Sequence, residues 1–384
     1  MSISQALNHP SSTPRVHHLG AGPSALPLSV LRKAQEELLS LPGVGMSPLE
    51  LSHRSGTFEA ILRRAQHALA ALYGLSSYEG GGEAPHEVLF MQGGASLQFS
   101  MVPLHYGAGG GYINTGTWST RALQEARFTW GEGGARALWS GEEGGFSATP
   151  KVGELLETEG ARYVHYTSNN TIYGTQLQSH PTLSDPTVPF VIDASSDLIS
   201  RPLDLTGCDL LYAGAQKNAG PAGVTIVIGK PEVLRRPPAE PRCPTTLRYQ
   251  THAQSDSLYH TPPTFAIYLV ALVAEWALER GGLEALQARA EERAGALYQL
   301  IDRHPSLYQG HAEPESRSRM NVTFRLPSDE LERRFLEQAE ALQLSGLKGH
   351  RSVGGVRASL YNAVTDDAVE TLLAHMERFA RAGS

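Results

Sequence analysis

Apolar residues in the first part of the chain recur in short runs bounded by glycine, proline or serine. Runs of this length and composition are typical of buried strands, and the stretches between them are long enough for crossover helices. The predicted strands lie at 87–91, 111–114, 162–166, 189–192, 209–212 and 224–228. This pattern predicts an α/β domain with a mostly parallel sheet.

Helical spacing appears in two regions of the chain. Apolar residues between Phe58 and Leu72 lie three and four positions apart and stop before Gly74, which predicts an amphipathic helix. From Thr264 onward long helical patterns alternate with strand-like segments at 320–324 and 356–360. We therefore predict two domains, an α/β domain at 20–270 and a smaller α+β domain at 271–384. Residues 1–19 are expected to pack with the small domain or to be disordered.

Composition and charge exclude several functions. The 384 residues suffice for two domains, and the net charge of −7 comes from interspersed acids and bases without a basic stripe. We therefore expect no nucleic-acid partner. No apolar run approaches the roughly 20 residues of a membrane span, and the first 18 residues lack a signal sequence, so we expect a cytoplasmic protein without membrane contact. The two cysteines lack metal-ligand spacing, which predicts free thiols and no metal site.

Lys217 is the first candidate for chemistry. It lies among small residues directly after a predicted strand, where nearby packed backbone lowers the pKa of an amine and makes it nucleophilic. Asp193 ends another predicted strand, and in an open α/β sheet reactive groups gather beyond the carboxyl ends of the strands. A lysine with a carboxylate that keeps a pyridine nitrogen protonated would suit pyridoxal phosphate. Taken alone, Lys217 is more typical of a glycine-rich turn and Asp193 of a helix cap.

A phosphate site is predicted at residues 91–99, where a strand continues through Gly93 and Gly94 into a helix start. Free backbone N–H groups and the helix dipole favour an anion there. The same pattern of residues is at least as common in strand-to-helix turns that bind no anion. Trp118 would suit a platform on which the cofactor ring stacks, and a lone tryptophan is also a common core residue.

Eight sequence motifs carry a family resemblance. They lie, in order, at 22–27, 51–54, 93–99, 196–202, 212–218, 261–265, 318–321 and 348–359. With these motifs the chain resembles the phosphoserine aminotransferases, fold type I pyridoxal-phosphate enzymes of aminotransferase class V, from Leu19 to the final helix. The resemblance implies an enzyme with a large α/β domain and a small α+β domain.

The resemblance also implies the roles of the cofactor-binding residues. Lys217 forms the Schiff base and moves the substrate proton, Asp193 contacts the pyridine nitrogen, and Trp118 stacks on the ring. The remaining contacts within the chain are those to the phosphate and the 3-hydroxyl, made by Ala95, Ser96, Gln216 and Thr171. His260 and Thr261 reach the phosphate in the neighbouring subunit, which implies a homodimer with shared sites; His260 stands where many members have asparagine.

Five cationic or basic residues are assigned to the substrate. A phosphorylated amino acid carries close to three negative charges and needs several cations of matched geometry. By resemblance, His53–Arg54 and His350–Arg351 bind the substrate phosphate, with one pair supplied across the dimer interface, and Arg357 binds the α-carboxylate. An isolated His-Arg pair is otherwise a common solvated loop feature. The implied reaction converts L-glutamate and 3-phosphohydroxypyruvate to 2-oxoglutarate and O-phospho-L-serine, in serine biosynthesis and, for some members, pyridoxine biosynthesis.

Other functions make different demands on the sequence. A cysteine desulfurase or related lyase needs a cysteine on an accessible loop, and a glyoxylate-type transaminase has no use for two His-Arg pairs. A non-catalytic regulatory protein of this fold would carry a DNA-binding module, and the segment before Leu19 is too short for one.

Overall fold

A seven-stranded sheet forms the centre of the larger part of the chain. The computed structural model describes residues 14–75 and 85–383. Strands are numbered in the order in which they occur along the chain. From one edge of this sheet to the other, the strands are β2, β12, β11, β10, β6, β3 and β4. Their bounds are β2 Glu87–Met91, β3 Gly110–Asn114, β4 Ala135–Ser140, β6 Tyr163–Thr167, β10 Phe190–Asp193, β11 Cys208–Gly214 and β12 Thr225–Gly229. β12 runs antiparallel to both neighbours and the other pairings are parallel, which confirms the predicted mostly parallel sheet.

Helices cover both faces of the sheet. They are α1 Leu28–Glu37, α2 Gly56–Leu72, α3 Gly94–Tyr106, α4 Thr117–Trp130, α5 Pro231–Arg235, α6 Tyr249–Gln254 and α7 Thr264–Glu279. Along β2, Val88 and Phe90 pack into one core with α2 and α7, whereas Leu89 and Met91 pack into a second core with α3 and α4. Burial on both faces explains why these strands are continuous apolar runs rather than alternating ones.

A smaller antiparallel sheet lies in the C-terminal part of the chain. It contains β13 Gln309–Gly310, β14 Asn321–Arg325 and β16 Val356–Ser359, and it packs with α8 Gly282–Arg303, α9 Asp329–Ala341 and α10 Asp366–Gly383. Short pairs complete the fold: β1 His17–His18 with β15 Leu344–Ser345, β5 Leu155–Leu156 with β9 Thr182–Leu183, and β7 Asn169–Asn170 with β8 Thr175–Gln176.

The N-terminal segment contacts this C-terminal part. β1 pairs in parallel with β15, and Leu19 is fully buried among the side chains of the C-terminal core. Residues 1–13 of the expected extension lie outside the described residues. The domain boundary after residue 270 stays a prediction; α7 runs across that position, and its buried side chains belong to the core of the larger sheet.

Within residues 14–75 and 85–383 there is no helix long and apolar enough to cross a membrane, and no cluster of metal-ligating side chains.

Candidate active site

The carboxyl ends of three parallel strands meet at one cavity of about 500 Å³. Thr167 ends β6, Asp193 ends β10, and Lys217 follows β11 by three residues. The sheet register places Asp193 opposite Thr167 on one side and Tyr212 on the other. Nine residues predicted from the sequence line this cavity: Ala95, Ser96, Trp118, Thr171, Asp193, Gln216, Lys217, His350 and Arg357.

Asp193 is a buried carboxyl group with a defined orientation. Burial raises its pKa, while the Lys217 ammonium and hydrogen bonds from Ser195 oppose that increase. Ser195 donates its hydroxyl to Asp193 Oδ1 at 2.6 Å and its backbone N–H to the same oxygen at 3.0 Å. The Ser195 hydroxyl in turn accepts the N–H of Gly214 at 3.1 Å. Among the described residues Oδ2 has no hydrogen bond, so it is available to a group in the cavity.

Lys217 lines the same cavity with an amine of altered basicity. Burial lowers the pKa of Lys217, the carboxylates of Asp193 and Asp197 raise it, and Arg357 lowers it. The Lys217 Nζ lies 5.9 Å from the centre of the Trp118 ring. The backbone around the lysine is fixed from the N-terminal segment, because Ser24 donates its N–H to the carbonyl of Gln216 at 2.9 Å and its hydroxyl to the carbonyl of Lys217. The backbone that carries this amine is therefore held in place beside the cavity.

The start of α3 lines the cavity with a helix end that no side chain caps. Gly93 and Gly94 have φ of +90° and +66°, and no side chain caps the helix. A Cβ on Gly93 would lie 2.4 Å from Leu97, so only glycine fits the turn there. The first helical turn, which includes Ala95 and Ser96, has backbone N–H groups without an intrahelical partner, and such groups suit an anion.

Trp118, Thr171 and Arg357 form one connected wall of the cavity. The Trp118 indole N–H donates to the Thr171 hydroxyl at 3.2 Å, and Arg357 Nη1 donates to the Thr171 carbonyl at 3.1 Å. Burial lowers the pKa of Arg357, and its Nε is buried without a hydrogen-bond partner among the described residues. An unpaired guanidinium N–H beside the cavity is suited to a carboxylate.

Five predicted site residues do not line the cavity: His53, Arg54, His260, Thr261 and Arg351. Arg351 instead faces a groove between its own loop and α9. The Thr261 carbonyl accepts a hydrogen bond from Gln92 at 3.2 Å, which places it beside the end of β2. His53 lies in the loop before α2, and its Nε2 is buried without a partner among the described residues. The two His-Arg pairs are thus not brought together within one chain.

Several polar residues at the site were not singled out from the sequence. Thr167, Asn169, Ser195 and Ser196 all line the cavity. Asn169 donates to Ser196 and to Asn321 at 2.8 Å each, so it connects the two parts of the chain. Among these residues, only Ser195 could have been recognised from its neighbours in the sequence. A serine two residues after an aspartate at the end of a strand can donate a hydrogen bond to that carboxylate.

The groups around the cavity fit pyridoxal phosphate. An amine, a buried carboxyl group, an aromatic ring and an uncapped helix start match the aldehyde, pyridine nitrogen, ring and phosphate of this cofactor. Two observed features carry this fit. No side chain caps the first turn of α3, and the hydrogen bonds from Ser195 to Asp193 use only Oδ1.

Comparison with known proteins identifies the class to which this fold and site belong. Residues 16–372 match the family model Aminotransferase class-V. The chain therefore belongs to the class V aminotransferase family, and it is an aminotransferase of fold type I.

Individual relatives cover nearly the whole chain. The chain is 47% identical over 368 residues to the phosphoserine aminotransferase of Halalkalibacterium halodurans, covering 95% of this chain and 98% of the relative. It is 48% identical to that of Geobacillus kaustophilus, covering 96% and 99%. The structure of phosphoserine aminotransferase from Bacillus circulans subsp. alkalophilus superposes with a TM-score of 0.90 at 43% identity, covering 97% and 100%. The pyridoxal-phosphate-bound enzyme of Trichomonas vaginalis superposes with a TM-score of 0.83 at 34% identity, covering 94% and 100%.

Proposed function

We propose that this chain uses pyridoxal phosphate to transfer an amino group reversibly between L-glutamate and 3-phosphohydroxypyruvate, giving 2-oxoglutarate and O-phospho-L-serine. The observation that carries the proposal is the single cavity in which Lys217, Asp193 and the uncapped start of α3 lie together with Arg357. The relatives named above, at 47% and 48% identity, are phosphoserine aminotransferases. The reaction belongs to serine biosynthesis, and the cytoplasm is the proposed location.

The cofactor would be held by residues of one chain. We assign its phosphate to the first turn of α3 with Ala95, Ser96 and Gln216, its ring to Trp118, and its 3-hydroxyl to Thr171. Asp193 would face the pyridine nitrogen, and Lys217 would provide the covalent attachment. When bound, the cofactor supplies an electron sink for negative charge at the substrate's α-carbon.

Lys217 is the proposed general base and acid. Burial lowers its pKa and so favours the neutral amine that a general base requires. Asp193 and Asp197 act in the opposite direction and favour the ammonium form that a general acid requires. Once the substrate amine has displaced it from the cofactor, Nζ would carry the proton between the substrate's α-carbon and the cofactor's C4′, and the two half-reactions should give ping-pong kinetics.

Arg357 is the proposed ligand of the α-carboxylate. Its Nη1 is engaged by the Thr171 carbonyl, and its buried Nε is left to bind an anion. The same carbonyl belongs to the residue whose hydroxyl accepts from Trp118, so the carboxylate ligand and the ring platform keep a fixed spacing. Fixed spacing orients the α-carbon toward Lys217, and orientation of this kind lowers the barrier to proton transfer.

The substrate phosphate is assigned to the two His-Arg pairs. His350 reaches the cavity from its own chain, whereas His53 and Arg54 do not. We therefore assign His53–Arg54 to the site of the neighbouring copy in a homodimer, and His260 with Thr261 to the phosphate of the cofactor bound there. The exposed apolar side chains Leu39 and Leu49, close to His53 in the chain, fit a surface that a second copy covers.

The alternative of a cysteine desulfurase or related lyase loses support from the positions of the cysteines. Cys208 and Cys243 are almost completely buried, and burial raises the pKa of both thiols. Neither thiol has the accessible, acidic character of a lyase nucleophile.

A substrate comparison tests the proposal. With 2-oxoglutarate as acceptor, O-phospho-L-serine should give a kcat/KM at least about 100-fold above those of L-serine and L-alanine, because several charge-assisted hydrogen bonds to phosphate are lost without it. The protein should be yellow as purified and lose its colour with borohydride. Equal activity with serine would overturn the substrate assignment, and a colourless protein that takes up no cofactor would overturn the whole proposal.

A further inference from the structure

We infer that Glu332 and Arg325 are positioning residues for substrate binding, which hold the loop 349–355 in the conformation that presents His350 to the active-site cavity. The inference rests on the proposed function, because the role of this loop in substrate binding is proposed there. Neither residue lines the cavity.

The loop is closed at its base by backbone contacts. Lys348 and Val356 form an antiparallel bridge, and the Gly349 N–H donates to the Gly355 carbonyl at 2.8 Å. Within the loop the N–H groups of Val353 and Gly354 donate to the His350 carbonyl at 3.0 and 2.8 Å. These bonds define the turn but do not fix its orientation relative to the rest of the protein.

Glu332 supplies one anchor for that orientation. This side chain on α9 is only 8% exposed. Its Oε1 accepts from Arg325 Nε at 2.5 Å and from the Leu326 N–H at 3.2 Å, and its Oε2 accepts from the Gly355 N–H at 3.2 Å. One carboxylate thus connects the end of β14 to the end of the loop. Two charge-assisted bonds to backbone N–H groups and one to a guanidinium make this a strong connection.

Arg325 supplies the second anchor. Its Nη1 donates to the Val353 carbonyl at 2.8 Å. Its side chain passes directly beneath the loop, since a Cβ on Gly355 would lie 2.6 Å from Arg325 Cδ and one on Gly354 would lie 3.3 Å from Nη1. The backbone φ is also positive at both positions, +69° at Gly354 and +74° at Gly355. The close approach of Arg325 and the backbone conformation therefore both require glycine.

Other acids on the same helix make a different kind of contact. Glu330 and Glu337 are exposed and pair with Arg333, three and four residues away on α9. Such surface pairs contribute little. Glu332 differs because it is buried and its three partners lie outside its own helix.

The position of the loop gives these anchors a functional consequence. On one side His350 lines the active-site cavity, and on the other a groove of about 720 Å³ separates the loop from much of α9. The loop is therefore weakly packed, and its orientation depends on Glu332 and Arg325. A loop held in its binding conformation loses less entropy when substrate binds, so the anchors should act on substrate affinity rather than on the chemical step.

Glu332→Gln tests the inference, with Glu337→Gln as the matched control on the same helix. In Glu332→Gln we expect the KM for O-phospho-L-serine to rise about tenfold, the effect of weakening hydrogen bonds to a charged group, with kcat within about twofold of wild type. The kcat/KM for L-alanine, which has no phosphate, should stay unchanged. Amide hydrogen exchange at 347–358 should accelerate in Glu332→Gln and not in Glu337→Gln. If Glu332→Gln does not fold, Arg325→Lys keeps the charge beside Glu332 but loses the donor to Val353 and should give the same two changes.

The outcomes separate this inference from the proposed function. His350→Ala reports on the proposed function, because His350 itself lines the cavity. A raised KM in His350→Ala with wild-type KM and exchange in Glu332→Gln would overturn the positioning role alone. An unchanged KM for O-phospho-L-serine in His350→Ala would overturn the proposed phosphate role of the loop, and the positioning role would fall with it.

Discussion

The residues that we assign to the cofactor and the cations that we assign to the substrate are held in place in different ways. Asp193 and Lys217 follow neighbouring strands of the sheet, so hydrogen-bonded register fixes their spacing. His350 and Arg351 lie in a loop held by two side chains, and His53 and Arg54 do not reach the cavity of their own chain. The chemistry therefore depends on the sheet, whereas substrate selection depends on loops and, by our proposal, on a second copy of the chain.

The largest expected effect concerns the cofactor-binding residues. Lys217→Ala should reduce transamination by at least about 10³-fold, because both the covalent attachment and the general base are lost. Lys230→Ala is the matched control. Lys230 forms an ion pair with Asp209 at 2.9 Å and does not line the cavity. Both proteins should show wild-type circular dichroism. Appreciable single-turnover conversion of O-phospho-L-serine by Lys217→Ala would remove this residue from its assigned role.

A smaller loss is expected among the cations. Arg351→Ala should raise the KM for O-phospho-L-serine about 10- to 100-fold and leave cofactor affinity unchanged, because a hydrogen bond to a charged group contributes about 1.5–3 kcal/mol. Arg333→Ala changes an arginine that lines the same groove but pairs with Glu330 and Glu337. Steady-state kinetics gives the KM for O-phospho-L-serine of both variants, and only Arg351→Ala should show the increase. An unchanged KM in Arg351→Ala would show that Arg351 serves the groove and not the phosphate.

A buried histidine in the central sheet should make the protein sensitive to acid. His165 on β6 is 1% exposed and hydrogen-bonds to Tyr212, and burial lowers its pKa to about 3. Because the unfolded chain takes up a proton near pH 6.5 and the folded chain does not, stability falls as pH drops below 6.5. Between pH 6.5 and 5.0 the loss from His165 is about 2 kcal/mol in the free energy of unfolding.

Urea unfolding of wild type and His165→Gln at both pH values measures this loss. The variant should lose about 2 kcal/mol less stability than wild type on acidification. It should keep a residual pH dependence, because burial also lowers the pKa of His105, to about 4. Equal pH dependence in the two proteins would mean that His165 takes up its proton without unfolding.

The smallest expected effect tests how strictly the cofactor-binding residues are oriented. Ser195→Ala removes the hydroxyl that donates to Asp193 Oδ1 but keeps the backbone N–H that donates to the same oxygen. Cofactor affinity, measured by fluorescence titration of the apoenzyme, should fall about fivefold, equivalent to about 1 kcal/mol. Ser200→Ala, which removes a buried hydroxyl bonded to the Asp197 carbonyl, should leave affinity unchanged. Equal losses in the two variants would point to general destabilisation instead.

The same contrast explains what could be predicted from the sequence. Apolar runs predict the strands, and the strand ends bring Asp193 and Lys217 together, so residues that the sequence assigns to the cofactor within one chain line a single cavity. The serine that orients Asp193 had only a weak local signal. Glu332 had none, because its partners depend on packing between α9, the end of β14 and a distant loop. Residues that act through such contacts are recognised only when the fold is known.

One measurement tests the central claim, that the cofactor-binding residues come from one chain and that His53–Arg54 come from the neighbouring copy. Lys217→Ala chains, which are inactive alone, and Arg54→Ala chains, which alone bind O-phospho-L-serine weakly, are co-expressed with different tags, and the heterodimer is isolated and assayed at a low concentration of that substrate. In that dimer one site has Lys217 from one chain and Arg54 from the other, so we predict about half of the wild-type activity with O-phospho-L-serine. A heterodimer no more active than its two parents would show that Arg54 serves the site of its own chain and would contradict the account.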